Sequence, residues 1–319
     1  MLGLALLVSV LFNMVGSASF GSSTSPGLRV RGGIDEFPDL QESWSYGHGD
    51  TKVVRIAYSG PIVRQSQSSG LFAGRANPVE TMELQVRAAT NDRDVRAILV
   101  EMDSPGGGVT PSDELYNSLM NFKKSRTDRV VLVFIRDVAA SGGYYVSMAA
   151  DWIIAEPTTI LGSIGVIMSS INVEQLSQKV GVSDVTIKSG RNKDLLNPFK
   201  KPSEEQLMLL QGMIDSMHER FMRIVSESRE IPMDALRQIA DGRILDAEQA
   251  KELKLVDEIG YWDDAVSRMA ALLNEESVRI VRYERHADLF SLLTQAYTPF
   301  QLPVFSDYQA PHPQFLWRP

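Results

Sequence analysis

Cysteine is absent from the chain, and that removes disulfides, iron-sulfur clusters, thiolate zinc sites and thiol nucleophiles together. Histidine is scarce: His48, His218, His286 and His312 are the full set, with no HxH or HExxH spacing among them, so neither a catalytic metal nor any cofactor is expected. Long Lys/Arg runs are also missing. With a net charge of -8 and a pI near 5.2, a nucleic-acid partner is not expected. What remains is a chain of 319 residues, 44% hydrophobic and 23% charged, able to bury a core and unlike a disordered one.

The first twenty residues depart from that average. No charge occurs from Leu2 to Phe20, and the apolar run ends in Gly16-Ser17-Ala18. Residues 1–20 therefore read as a signal or membrane anchor, and 21–50, rich in Gly and Ser and without periodicity, as a flexible linker. A domain spanning 51–275 follows, then a strand and an irregular Pro-rich tail over 276–319. Within the domain, Val53–Ser59, Val95–Met102 and Arg129–Ile135 read as strands, with further candidates at Trp152–Ala155, Gly165–Met168 and Asp184–Ile187. Helices are expected from Pro78, from Thr110-Pro111, from Ser203, where Gln206 completes a capping-box spacing, and from Met233, Asp246 and Tyr261. Leu207, Leu210, Ile214, Met217, Phe221 and Ile224 step by three and four, a stripe for a core or a subunit interface. Strands alternating with helices imply an α/β fold with parallel pairing and a helical C-terminal part.

Chemistry concentrates in three loops. Asp103-Ser-Pro-Gly-Gly-Gly-Val109 lies between a strand and a helix, and its glycines allow a tight turn that aims bare N–H groups outward, as an oxyanion or a phosphate requires. The phosphate motifs GxxxxGK(S/T) and GxGxxG are lacking. Val138-Ala-Ala-Ser-Gly-Gly-Tyr-Tyr145 places Ser141 where a strand hands over to a helix, with Gly142 as a second N–H donor. That is the logic of a nucleophile elbow, although Ser before Gly-Gly also serves as a plain helix cap. A serine nucleophile needs a base. No histidine lies between His48 and His218, so a Ser-His-Asp triad has little support. Lys193, in Lys188-Ser-Gly-Arg-Asn-Lys-Asp194, is the alternative. An ordinary lysine is neutral in only about one molecule per thousand at physiological pH, so such a base must be desolvated.

The ordered set Asp103-Ser-Pro-Gly-Gly-Gly108, Ala140-Ser-Gly-Gly-Tyr-Tyr145, Leu161-Gly-Ser-Ile-Gly165, Lys188-Ser-Gly-x-x-Lys-Asp194, Asp241-Gly-Arg-Ile244 and Leu255-Val-Asp-Glu-Ile-Gly260 resembles signal peptide peptidase A, the short single-domain form of the protease IV family, over about 53–271. The resemblance implies a Clp-protease and crotonase-like spiral of ββα units, and a Ser-Lys serine endopeptidase. Ser141 matches the nucleophile, Lys193 the general base and Ser163 the hydroxyl that holds the lysine amine. Backbone N–H groups at Gly106, Gly107 and Gly142 match the oxyanion hole. It further implies apolar peptide substrates such as cleaved signal peptides, and a cell-membrane location through the N-terminal segment with the catalytic domain extracytoplasmic. It implies a homo-oligomer in which Ser and Lys of one site can come from neighbouring subunits. A crotonase-type acyl-CoA enzyme and a catalytically inactive membrane-tethered scaffold are the alternative readings.

Overall fold

The computed structural model describes residues 40–64, 77–285 and 314–316. The anchor expected over 1–20, most of the linker and most of the Pro-rich tail lie outside the described residues. Among the described residues no helix is long and apolar enough to cross a membrane.

The strands are β1 (Leu40–Tyr46), β2 (Thr51–Ser59), β3 (Val95–Ser104), β4 (Gly106–Gly108), β5 (Val130–Ala140), β6 (Trp152–Ala155), β7 (Ile160–Gly162), β8 (Ile244–Asp246), β9 (Glu258–Ile259), β10 (Val278–Arg285) and β11 (Gln314–Leu316), of which β2, β3, β5 and β6 are those read at Val53–Ser59, Val95–Met102, Arg129–Ile135 and Trp152–Ala155. The main sheet runs β1-β10-β2-β3-β5-β6-β9, with β7 beside the end of β5 and β8 beside β7. Every pairing from β10 to β9 is parallel, and so is β5 with β7; β1 with β10 and β7 with β8 are antiparallel. The helices are α1 (Pro78–Asn91), α2 (Val109–Lys124), α3 (Gly142–Ser147), α4 (Glu174–Val180), α5 (Glu204–Arg229), α6 (Met233–Arg237), α7 (Ala247–Glu252) and α8 (Trp262–Leu272). Two successive turns of chain read strand, short second segment, helix: β2, Ile62, α1 and then β3, β4, α2, with Ile62 bridging in parallel to Gly107.

Both faces of this sheet are covered, which is why its central strands are continuous apolar runs. Side chains alternate between faces along a strand. Ile98, Val100, Val131, Val133 and Ile135 accordingly join one core with α1 to α3 and the end of α5, and Ala97, Leu99, Leu132 and Phe134 join a second core under Met269 and Ala270 of α8.

Several expectations change. Leu40–Tyr46, inside the stretch read as linker, is an edge strand. Its polar, weakly alternating sequence finds a partner in β10, more than two hundred residues away. Helix α2 starts at Val109, capped by Gly108 rather than Thr110, because the chain turns straight out of β4 and Ser112 Oγ donates to Gly108 O. Among the described residues Gly165–Met168 makes only a bridge at Ile167, and Asp184–Ile187 pairs with no strand, Val185 and Ile187 standing in solvent, Ile187 at 97% exposure. Helix α5 has the expected capping box from Ser203 and Gln206, but its stripe divides: Phe221 and Ile224 are buried, whereas Leu207 is exposed.

A buried polar group ties the edge to the body. Lys52 on β2 pairs with Glu42 on β1 and, at 2.7 Å, with Asp92 at the end of α1. Asp92 also accepts from Tyr283 Oη on β10. Burial pushes the Asp92 carboxyl up, but the Lys52 ammonium, the Asp94 N–H and the Tyr283 hydroxyl outweigh it and hold it below its ordinary value. A carboxyl lowered in the folded state contributes stability above its unfolded pKa of about 3.9 and loses it as pH falls through the folded value. Asp92→Asn is thus expected to cost about 2 kcal/mol at pH 7, with the gap to the unmutated chain closing in acid. Denaturant melts at pH 7 and pH 3 measure both, and an equal gap at the two pH values would contradict the ionised Asp92.

Candidate active site

Strand β5 is the longest in the sheet, and its far end is bracketed on both sides. Ala139 pairs with Ser104 of β3, and Ala140 pairs with Gly162 of β7. The next residue on each of two neighbouring strands is a serine. Ser141 follows Ala140 at φ 51, and Ser163 follows Gly162 at φ 50. A serine in the left-handed region is unusual and costs on the order of 1–3 kcal/mol, held by surrounding structure. The hold on Ser141 is visible: its N–H donates to Gly162 O at 2.8 Å, and its carbonyl accepts the Tyr145 N–H at 2.8 Å, the first bond of α3. The sharp turn sets Ser141 at the mouth of a helix whose first N–H groups, Gly142 among them, have no partner inside it.

The glycines are required by contact. A Cβ on Gly143 would lie 2.6 Å from Ser104 O, and one on Gly107 would lie 2.1 Å from Ile62 O. Of the glycine run, Gly106 donates its N–H to Ser104 Oγ and Gly108 donates to Ile62 O. Those two donors are engaged on the Ser104 and Ile62 side, which leaves Gly107 as the member of the run whose N–H faces the other edge, where Phe315 lies opposite it. Ser104, not singled out from the sequence, therefore positions the loop: its hydroxyl also donates to Gly60 O at 2.7 Å. Its signal was adjacency to the Pro-Gly-Gly-Gly run, but its partner Gly60 lies 44 residues away.

Ser163 is positioned by the Asp241-Gly-Arg-Ile segment. Its N–H donates to Arg243 O at 2.7 Å, and Gly162, at φ 97, passes so close that a Cβ would meet that same oxygen at 3.1 Å. Arg243 folds back on Asp241, and its guanidinium hydrogen bonds lower the Asp241 carboxyl to about 2. The Leu255–Gly260 segment is structural: Leu255 O accepts from the buried Tyr144 hydroxyl, and Asp257 accepts from Ile153 N–H and the Arg229 guanidinium.

The structure thus brings together Ser141, Ser163, Gly142 and the Gly106-Gly107 run. It does not join Lys193 to them. Lys193 lies on an exposed arm between β7 and α5. There Lys188 is tied to Asp194, and Lys200 to Asp184 and Asp194, whereas neither the Lys193 ammonium nor the Ser141 hydroxyl has a hydrogen-bond partner among the described residues. Ser141 itself is 1% exposed. Among the described residues no cluster of His, Asp and Glu is arranged to hold a metal ion.

Peptidase family S49 matches residues 123–276, which include Ser141, Ser163 and Lys193. A protein of Enterococcus faecium, proposed by its name to be a signal peptide peptidase SppA, is 34% identical over 251 residues, 79% of this chain and 72% of its own length. Another, from Methanocaldococcus jannaschii and proposed by its name to be a protease, is 37% identical over 247 residues, 76% of this chain and 78% of its own. The chain belongs to peptidase family S49. It is a serine peptidase by that membership. Among solved structures, a ClpP1 variant of Listeria monocytogenes aligns with a TM-score of 0.42 at 17% identity, over 66% of this chain and 93% of that one.

The packing of α3 on β3 is what aims Ser141 in this S49 peptidase. Gly143→Ala must push α3 away from Ser104 O, at a cost of about 1–3 kcal/mol. It is expected to lower the melting temperature and to reduce peptide turnover at least tenfold. A variant with unchanged melting and unchanged turnover would contradict the contact.

Proposed function

We propose that the chain is a Ser-Lys endopeptidase of apolar peptides, cleaved signal peptides among them, tethered to the cell membrane by its N-terminal segment with the catalytic domain extracytoplasmic. The observation that carries the chemistry is Ser141 at φ 51 on a strand-to-helix turn, beside Ser163 and the glycine run. In this reading Ser141 Oγ attacks the scissile carbonyl and passes its proton to the neutral amine of Lys193, which Ser163 holds in place. N–H groups of Gly142 and the glycine run receive the oxyanion. The lysine then protonates the leaving amine, and water hydrolyses the acyl-enzyme by the same route.

The exposed arm supports a homo-oligomer with shared sites. Ile171, Val180, Val185 and Ile187 on the arm and Met208 at the start of α5 are all more than half exposed, Val185 at 85%, and exposed aliphatic side chains in such number are what subunits cover. A second copy seated there supplies its Lys193 to this chain's Ser141, whose hydroxyl has no lysine bonded to it among the described residues, and gives the Asp184–Ile187 segment an edge to pair with.

Lys193→Arg should be as inactive as Lys193→Ala, because a guanidinium stays protonated and cannot serve as base. Peptide turnover by the two purified variants measures this, and an active Arg variant would leave positive charge, not a free amine, as the requirement. Sharing has its own test. Ser141→Ala and Lys193→Ala chains, unfolded and refolded in equal mixture, should recover about a quarter of the unmutated activity, since random neighbours place an intact Ser beside an intact Lys in one junction of four. No recovery in oligomers shown to contain both chains would reject the shared site.

A further inference from the structure

The ladder that aligns β3 with β5 runs out at the Ser104–Ala139 pair. The glycine run lies beyond that pair on one side and Ser141 beyond it on the other, so the ladder itself reaches neither. Two helices take over. Helix α2 starts directly after Gly108 and carries Asp113, and α3 starts directly after Ser141 and carries Tyr145. The Tyr145 hydroxyl donates to Asp113 Oδ1. The same oxygen accepts from Arg220 of α5, from Nε at 3.1 Å and from Nη2 at 2.6 Å. The Tyr145 ring is buried, edge-on to Tyr116 of α2 at 5.6 Å and tilted against Phe221 of α5 at 5.0 Å. Burial, with the Asp113 carboxylate beside it, pushes the Tyr145 hydroxyl up, so it stays protonated and a donor at neutral pH.

We propose that Asp113 is a positioning residue for peptide hydrolysis: by holding the Tyr145 hydroxyl and the Arg220 guanidinium on one oxygen, it sets the Ser141 turn against the glycine run and ties both to α5. The inference deepens the peptidase reading and rests on Ser141 as the nucleophile. Tyr145 N–H donates to Ser141 O at 2.8 Å, so a displacement of Tyr145 passes to the serine backbone through a single bond. The close approach of Gly143 to Ser104 O fixes how near α3 comes to β3, but a contact does not stop a helix from sliding or turning. A hydrogen bond is directional, and the one from Tyr145 to Asp113 does. Nucleophile and oxyanion donors must hold to within about 0.5 Å of productive geometry, and a misplacement of about 1 Å caused from a distance can cost roughly a hundredfold in rate. Arg220 stands where α5 enters the core, with Leu209 and Met213 exposed before it and Phe221 and Met222 buried after it. Since α5 follows the arm that bears Lys193, Asp113 joins the helices that lead from all three chemical loops.

The test compares the purified native protein with Tyr145→Phe, Asp113→Ala, Asp113→Asn, Arg220→Gln and the Asp113→Ala/Tyr145→Phe pair, on a fluorogenic apolar peptide and below every melting midpoint. Tyr145→Phe keeps the ring and its two aromatic contacts and removes only the bond. It and Asp113→Ala should each lower kcat about tenfold with KM within about twofold, because the aim of Ser141 is disturbed and the peptide-binding surface is not. The amide oxygen of Asp113→Asn still accepts from Tyr145, so kcat there should stay within about threefold of the unmutated value. Arg220→Gln should lower kcat severalfold. The double variant should be no worse than the poorer single one, since both changes remove the same bond. Unchanged kcat in Tyr145→Phe, Asp113→Ala or Arg220→Gln, a loss in Asp113→Asn equal to that in Asp113→Ala, or losses that multiply in the double variant would overturn the proposal. Amide hydrogen exchange supplies a readout apart from turnover: segments 105–112 and 141–147 should both exchange faster in Tyr145→Phe and Asp113→Ala, and unchanged exchange in both segments would equally overturn it. An unmutated protein that neither hydrolyses peptides nor takes a fluorophosphonate at Ser141 would refute the peptidase reading, and with it the role of Asp113 in hydrolysis, whatever the exchange shows.

Discussion

The site depends on the backbone of one residue. Ser141 sits at φ 51, a conformation that costs a serine on the order of 1–3 kcal/mol and persists only where neighbours over-determine it. They do so through β5. Its parallel pairing with β3 fixes where the strand ends relative to the glycine run, and its pairing with β7 brings Gly162 O to the Ser141 N–H. A shift of either register by one residue would move Ser141 out of reach of Gly106-Gly107 and of Ser163, and would turn the apolar side chains of β5 to the wrong faces. The two buried cores that lock those registers are therefore part of the catalytic apparatus in an energetic sense.

The same packing explains why small residues surround the serine. Helix α3 is wholly buried and approaches Ser104 O so closely that only glycine fits at 143. Its two tyrosines then anchor it from both ends of the fold, Tyr144 through Leu255 O and Tyr145 through Asp113, which also binds Arg220. The arm that carries Lys193 has no comparable anchorage. Among the described residues its side chains make surface ion pairs, and Val185 and Ile187 stand in solvent.

Those differences account for what the sequence made legible. Val95–Met102 and Arg129–Ile135 are apolar runs bounded by turn residues, and the buried parallel strands they announce are present. Ser141 was legible because Ser-Gly-Gly directly follows such a strand, a local pattern with a local cause. Leu40–Tyr46 was not, because an edge strand with a polar face looks like linker until β10 is placed beside it. Asp184–Ile187 shows the reverse: Val185 and Ile187 alternate as a strand should, yet no strand among the described residues pairs with them. Ser104 and Arg243 act through partners far away in sequence, Gly60 and Ser163, and no spacing rule points from one to the other. Gln314–Leu316 lay in a proline-rich stretch whose composition favours irregular chain, and its partners, Gly106–Gly108 and Ile167, are far away in sequence.

The central claim is that Ser141, aimed by its strained turn, is the nucleophile. The direct measurement is to treat the purified native protein with a fluorophosphonate, digest it and locate the adduct by mass spectrometry. The account predicts one phosphonylated residue, Ser141, with labelling lost in Lys193→Ala although Ser141 is still there. An adduct on Ser163 or any other residue, or no adduct in a preparation that hydrolyses peptides, would contradict it.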